Sequence, residues 1–111
     1  MESKATAKFL IISPRKVRLV ADEIRGLDLP EALDALRFIP RRGARLLEGV
    51  LNSARANAVS ANESIKAKDL FIKKVYVDQG PVLKRFRPRA RGRGMSRLKR
   101  TSHITIVLGD E

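Results

Sequence analysis

Hydrophobic and polar positions in the first part of the chain predict a strand followed by an amphipathic helix. The segment from Thr6 to Ile12 ends in a β-branched and aromatic cluster without helical spacing, which is typical of a strand. Ser13 is a good N-cap, Pro14 stands at the first helical position, and Gly26 supplies a C-terminal stop. The hydrophobic positions of this helix recur at i, i+3, i+4 and i+7 and predict its buried face: Val17, Val20, Ala21 and Ile24.

The middle of the chain predicts two further helices. Asp28 and Glu31 have the spacing of a capping box, and they open a short helix that Pro40 must end. A longer helix then spans about Arg41 to Ala61, with small and aliphatic residues down one side: Ala44, Leu47, Leu51, Ala54 and Ala58. The small side chains allow this helix to lie close against a neighbouring element.

Two strands are predicted near the end of the chain, on either side of a polar segment. "LFIKKVYV" (Leu70 to Val77) is rich in β-branched and aromatic residues, and "SHITIVLG" (Ser102 to Gly109) alternates two sets of side chains. The simplest topology makes these strands antiparallel neighbours and extends the segment between them as a two-stranded arm. The arm reverses near "RGRG" (Arg91 to Gly94), where glycines tolerate a turn.

Positive charge is concentrated in that arm. The chain has 24 Lys and Arg against 12 Asp and Glu, and nine of the basic residues lie in the acid-free stretch from Leu83 to Arg100. Outside this stretch the charges nearly balance, so the pattern indicates a polyanionic partner. A membrane-binding helix would place Trp, Phe or Leu opposite Lys, whereas this Arg-rich segment contains Pro and Gly and no Trp; nucleic acid is therefore favoured.

The predicted helices carry further cations on their outward sides, and His103 is the only histidine. Each helical set is either a solvated face or a phosphate-binding surface, and the composition leaves both readings open. His103 is either structural or RNA-facing, since it lacks the Cys or second His of a metal site. The helical candidates for RNA contact are Arg15, Lys16, Arg18, Arg41, Arg42 and Arg45.

Other features of the chain argue against an enzyme and predict no cofactor or metal. The carboxylates are scattered, "RGRG" lacks the spacing of a nucleotide-binding glycine motif, and there is no Cys. No apolar run approaches the roughly 20 residues of a membrane span, and no signal peptide is recognisable, which predicts a cytosolic protein. The length suits one domain over residues 1–111, with the arm at about 80–101.

Three blocks of the sequence resemble the large-subunit ribosomal protein twenty-two family in its bacterial form. They are "SPRKVRLVADEIRG", "VDQGPVLKRFRPRARGR" and "KRTSHITIVL", in that order. The resemblance implies a two-layer α+β domain of order β-α-α-α-β-β, with a three-stranded antiparallel sheet and a protruding β-hairpin. It also implies a cytoplasmic ribosomal protein that binds 23S rRNA, bridges several RNA domains during early assembly, and lines the polypeptide exit tunnel with its hairpin.

The same resemblance implies roles for individual positions and names further partners. Neighbouring large-subunit proteins and the nascent polypeptide are expected partners, and the protein is expected to be a monomer within the ribosome. RNA contacts are implied for Lys84, Arg85, Arg87, Arg89, Arg97, Lys99 and Arg100. The tunnel-facing tip is implied for Arg91, Gly92, Arg93 and Gly94, and the macrolide-region part of the arm for Leu83, Lys84 and Arg85.

Two departures from the family pattern fall on the arm. Gln79 stands where many members have Glu, and Gly94-Met95 stands where they commonly have Ala-Asp. Two alternatives remain from the charge pattern: a DNA-architectural protein that uses a basic β-ribbon, and, more distantly, the precursor of a cationic membrane-active peptide.

Overall fold

A computed structural model describes residues 2–61, 64, 66–88 and 94–110 of the chain. Three helices cover one face of a three-stranded antiparallel sheet, and a two-stranded ribbon forms a second sheet. The predicted α+β fold, with its β-α-α-α-β-β order and three-stranded antiparallel sheet, is confirmed. The elements are β1 (Glu2–Leu10), α1 (Pro14–Ile24), α2 (Leu29–Phe38), α3 (Arg42–Ala61), β2 (Phe71–Gln79), β3 (Leu83–Pro88), β4 (Gly94–Lys99) and β5 (Ser102–Gly109), with a 3-10 turn at Ala67–Asp69.

The last strand, β5, lies at the centre of the main sheet, between β1 and β2. It pairs antiparallel with both, so that Thr105 stands between Thr6 and Tyr76. Ile104, Ile106 and Leu108 are fully buried under the helices, as their alternation predicts. Thr105 and Val107, on the other face, are also buried because neighbours on both sides cover a central strand.

The helices meet the sheet through the faces that the hydrophobic spacing predicts. Every predicted core position of α1 and α3 is buried. Gly43 lies against α1, where an added Cβ would stand 3.5 Å from the Val17 Cα, so the two helices approach closely at this point. Two side chains tie α3 to β1, because Ser3 Oγ donates to the Ala54 carbonyl (2.8 Å) and Asn57 Nδ2 donates to the Lys4 carbonyl (3.1 Å).

The first strand differs most from its prediction. It runs from Glu2 to Leu10, whereas the apolar cluster predicted Thr6 to Ile12. Its helix-facing residues near the start, Ser3 and Ala5, are small because α3 packs close above them, and small residues do not produce a hydrophobic signal. The predicted helix starts at Ser13 and Asp28 are correct, although neither side chain makes a capping hydrogen bond.

The arm is a ribbon of six residue pairs, from Leu83 opposite Lys99 to Pro88 opposite Gly94. The molecule measures 64 Å along its longest axis and 26 and 16 Å across, which is the shape of a small domain with a projection.

Candidate nucleic-acid interface

Arg18 of α1 and Arg25, which directly follows this helix, are hydrogen-bonded to the backbone of β2. Arg18 donates from Nε and Nη2 to the Val77 carbonyl at 3.1 and 2.7 Å, and Arg25 donates from Nη2 to the Val75 carbonyl at 2.8 Å. Arg25 also pairs with Asp22 at 2.6 Å. Arg18 and Arg25 are seven residues apart, which is about two helical turns. The carbonyls of Val75 and Val77 are two residues apart and point the same way along the strand, so the spacing of the arginines matches the spacing of the carbonyls.

Another predicted RNA contact, Arg45, supports the end of α2. Its Nη2 donates to the carbonyls of Leu36 and Ile39, and it pairs with Glu48 at 3.0 Å. These carbonyls lie at the C-terminus of α2, where a cation is favoured by the helix dipole. Arg18 and Arg45 therefore have structural contacts, and their RNA contacts remain predictions.

Three other predicted residues meet in one depression. Lys16 from α1, Arg41 just before α3, and Arg42 at its first position line a cavity of about 350 Å³ together with Ile12 and Gly43. Arg15, Lys16, Arg41 and Arg42 are all exposed. Guanidinium and ammonium groups that converge around an open depression suit a phosphate, which accepts several charged hydrogen bonds at once.

The junction between domain and arm is closely packed around Gly80. The Gly80 N–H donates to the Thr101 carbonyl at 2.9 Å, and Thr101 Oγ1 donates to the Pro81 carbonyl at 2.6 Å. A Cβ on Gly80 would overlap Thr101 Oγ1 and stand 3.2 to 3.3 Å from the His103 ring. A residue with no side chain is thus required where the main sheet passes into the ribbon.

His103 lies beside this junction and contacts β1. Its Nδ1 accepts a hydrogen bond of 3.0 Å from the Phe9 N–H, and the two rings meet edge to face with centroids 4.9 Å apart. Because Nδ1 accepts, the neutral imidazole carries its hydrogen on Nε2. His103 is half-buried. Its side chain makes this structural contact and still leaves part of its surface exposed.

Five of the predicted arm residues lie in the paired strands of the ribbon. Lys84, Arg85 and Arg87 lie in β3, and Gly94 and Arg97 lie in β4. Leu83 begins β3 and is half-buried, whereas Lys99 and Arg100, at the root of the arm, are exposed. Four predicted positions lie outside the described residues: Arg89, Arg91, Gly92 and Arg93.

Comparison with known proteins identifies the family. The profile of the ribosomal protein L22p/L17e family matches residues 5–109. The chain belongs to this family. It is 56% identical over 110 residues to the large ribosomal subunit protein uL22 of Leptospira biflexa serovar Patoc, covering 99% of this chain and 95% of that one. It is 53% identical over 111 residues to the Thermus thermophilus protein of the same name, covering 100% and 97%.

Membership of this family confirms the resemblance seen in the three sequence blocks and confirms that the protein is not an enzyme. Within residues 2–61, 64, 66–88 and 94–110, no group of three or more His, Cys, Asp or Glu side chains is placed to hold a metal ion. Over the same ranges, no helix is both long and apolar enough to cross a membrane.

The structure also brings out residues that the sequence patterns did not single out. Phe9 contacts His103, and Gly80 and Thr101 form the junction below it. The "GPV" after the second predicted strand signals a turn, but the close contact between Gly80 and Thr101 joins residues far apart in the chain. No local pattern reports such a contact.

Proposed function

We propose that this protein is a structural constituent of the large ribosomal subunit, where it binds 23S rRNA as a monomer in the cytoplasmic ribosome. Neighbouring large-subunit proteins are its other partners. The family match over residues 5–109 supports this role, since the relatives quoted above are named as large-subunit proteins.

The observation that carries RNA binding is the separation of charge from the folded core. Nine of 24 basic residues lie between Leu83 and Arg100, and β3 and β4 within this stretch form a sheet of their own. Two paired strands are marginally stable alone, and a run of cations repels itself, so a polyanion must stabilise the ribbon in use. A narrow ribbon also enters crevices between RNA helices that a domain cannot enter.

The domain supplies a second RNA contact through the cavity of Lys16, Arg41 and Arg42. The cavity lies at the arm-root end of the domain, because its lining residue Ile12 accepts a hydrogen bond of 2.6 Å from Ser102 Oγ, and the ribbon extends from that root over six residue pairs. A protein that neutralises phosphates at both places holds together RNA helices from different domains. We infer that it does so early in assembly of the subunit, when those helices first converge.

The hairpin is proposed to line the polypeptide exit tunnel, with Arg91 to Gly94 at the tip and Leu83 to Arg85 in the macrolide region of the arm. The family resemblance is the basis of this proposal. Reversing charge at the tip, with Arg91→Glu and Arg93→Glu, should leave subunit yield near normal while changing ribosome stalling on nascent chains with charged segments. Failed assembly would instead make the tip an RNA anchor, and unchanged stalling would place it away from the passing chain.

Salt dependence of binding to protein-free 23S rRNA tests the RNA-binding role. Neutralising the exposed Lys99 and Arg100 at the arm root to Gln should flatten the slope of log K against log salt by about 1.4 to 1.8, at 0.7 to 0.9 per contact. The matched control neutralises Lys66 and Lys68, two exposed lysines in the link between α3 and β2. Equal slopes for the two variants would mean that net charge alone drives binding, and tighter binding to duplex DNA than to rRNA would contradict the proposal.

A further inference from the structure

Phe9 has a backbone conformation that its side chain disfavours. Its φ is +58°, the only positive value at a described residue other than glycine, and it lies in the bulge that interrupts pairing of β1 with β5 between Ala7 and Leu10. A left-handed residue with a Cβ is strained, and Gly or Asn adopts this conformation more easily. Strain of this kind at an exposed position points to a use for the side chain.

The bulge presents the Phe9 ring to solvent in a fixed place. The side chain remains 62% exposed, although a phenylalanine in a strand that borders a core is normally turned inward. His103 holds it from below through the hydrogen bond to the Phe9 N–H and the edge-to-face ring contact at 85°. The His103 ring lies close to Gly80, since a Cβ added at that glycine would stand 3.2 to 3.3 Å from it.

Two exposed basic residues lie near this ring along the chain and across the sheet, and the exposed Asp78 pairs with His103. Lys8 directly precedes this phenylalanine and is exposed, and the exposed Arg100 lies two residues before Ser102, which pairs with Leu10. Lysines are depleted at the centres of protein interfaces, whereas an aromatic ring between basic side chains is the usual arrangement for an unpaired nucleotide. The base stacks on the ring while the cations contact its phosphates.

We propose that Phe9, positioned by His103, stacks against one unpaired base of the large-subunit RNA at the root of the arm. This proposal rests on the proposed function and assigns one stacking site within it. The bulge in β1 then directs an aromatic ring outward. Phe9 contributes to RNA binding by stacking and adds no charge to the interface.

Three substitutions at this position separate stacking from charge and from apolar burial. Phe9→Gly removes the ring and relieves the left-handed strain, Phe9→Leu keeps an apolar side chain without a π-face, and Phe9→Trp keeps the π-face. Affinity for protein-free 23S rRNA should fall by about 5- to 150-fold for Gly and for Leu, and should stay near the parent value for Trp. The salt slope should be unchanged in all three, since no phosphate contact is lost.

Thermal melting of each free variant accompanies the binding assay, and a Phe9→Gly protein that melts no earlier than the parent shows that lost affinity is not lost folding. Parent-like binding by Phe9→Gly or by Phe9→Leu overturns the stacking site, and so does a changed salt slope. If Phe9→Gly binds protein-free 23S rRNA normally but dissociates from assembled subunits on washing, Phe9 contacts a protein partner instead of RNA. In all these outcomes the parent still binds rRNA with a steep salt slope, whereas a parent that fails to bind refutes the proposed function itself.

Discussion

A methyl group added at Gly80 should weaken the whole domain, because the junction beneath the arm has no space for it. In Gly80→Ala the new Cβ would overlap Thr101 Oγ1 and lie 3.2 Å from His103 Cε1. Thr101 is 2% exposed, so its hydroxyl cannot turn to water when it is displaced from the Pro81 carbonyl.

The size of the effect follows from these two contacts. Leaving a buried hydroxyl unpaired costs about 1–3 kcal/mol, and overfilling a packed site costs a similar amount. The two penalties share one displacement and do not simply add, so we expect a loss of about 2–4 kcal/mol in the free energy of unfolding. At roughly 4–8 °C per kcal/mol, the melting temperature should fall by about 10 °C or more.

Urea unfolding followed by circular dichroism measures this loss, with Gly49→Ala as the matched control. Gly49 lies within α3 with no atom within 4 Å of an added Cβ, so the same substitution there should stabilise by about 0.5–1 kcal/mol. In a Thr101→Ala background, which removes the overlapping oxygen, Gly80→Ala should cost at least 1 kcal/mol less. A Gly80→Ala protein as stable as the parent would show that Thr101 and His103 are not packed against this glycine.

Three further expectations concern charged side chains. Arg18→Met should lower the free energy of unfolding by about 1–2 kcal/mol in urea titrations, because two guanidinium hydrogen bonds to the Val77 carbonyl are lost. As a control, Arg15→Met at an exposed site on the same helix should change the free energy of unfolding by under about 0.5 kcal/mol. Arg41→Gln with Arg42→Gln should flatten the salt slope of rRNA binding by about 1.4 to 1.8, and an unchanged slope would mean that no phosphate occupies the cavity. The hydrogen bond and charge of Lys73 lower the pKa of Glu2 below 4.5. This pair therefore stabilises the fold above that pH, and its contribution is lost as pH falls through the lowered pKa. Carbon NMR titration should show the Glu2 pKa returning toward 4.5 in Lys73→Met.

Structural features that are set by neighbouring residues in the chain were predicted correctly, whereas several features that depend on residues far away in the chain were not. Pro14 and Gly26 mark the ends of α1 correctly, because one fixes φ and the other adopts the φ of +83° found there. The alternation in β5 identified the core face but missed the burial of Val107, which depends on strands that pair with it from distant parts of the chain.

The candidate site shows the same division. The arm was recognisable because its cations are clustered in one short stretch of sequence. The depression of Lys16, Arg41 and Arg42 was recognisable only as two separate groups of basic residues. Their convergence depends on α1 packing beside the start of α3 at Gly43. Arg18 and Arg45 were grouped with the RNA-facing cations, but their hydrogen bonds to backbone carbonyls exist only once the helices are in place.

The hydrogen bonds from α1, from Arg25 just after it and from α3 to the outer strands have a consequence for the protein before it reaches its partner. A three-stranded sheet has two free edges, and an open edge can pair with a strand of another molecule and begin aggregation. Here Arg18 and Arg25 occupy carbonyls of β2, while Asn57 occupies one of β1. Both borders of the sheet are thereby partly closed to a foreign strand by side chains of the same molecule, which helps a newly made copy to stay apart from its neighbours until RNA is available.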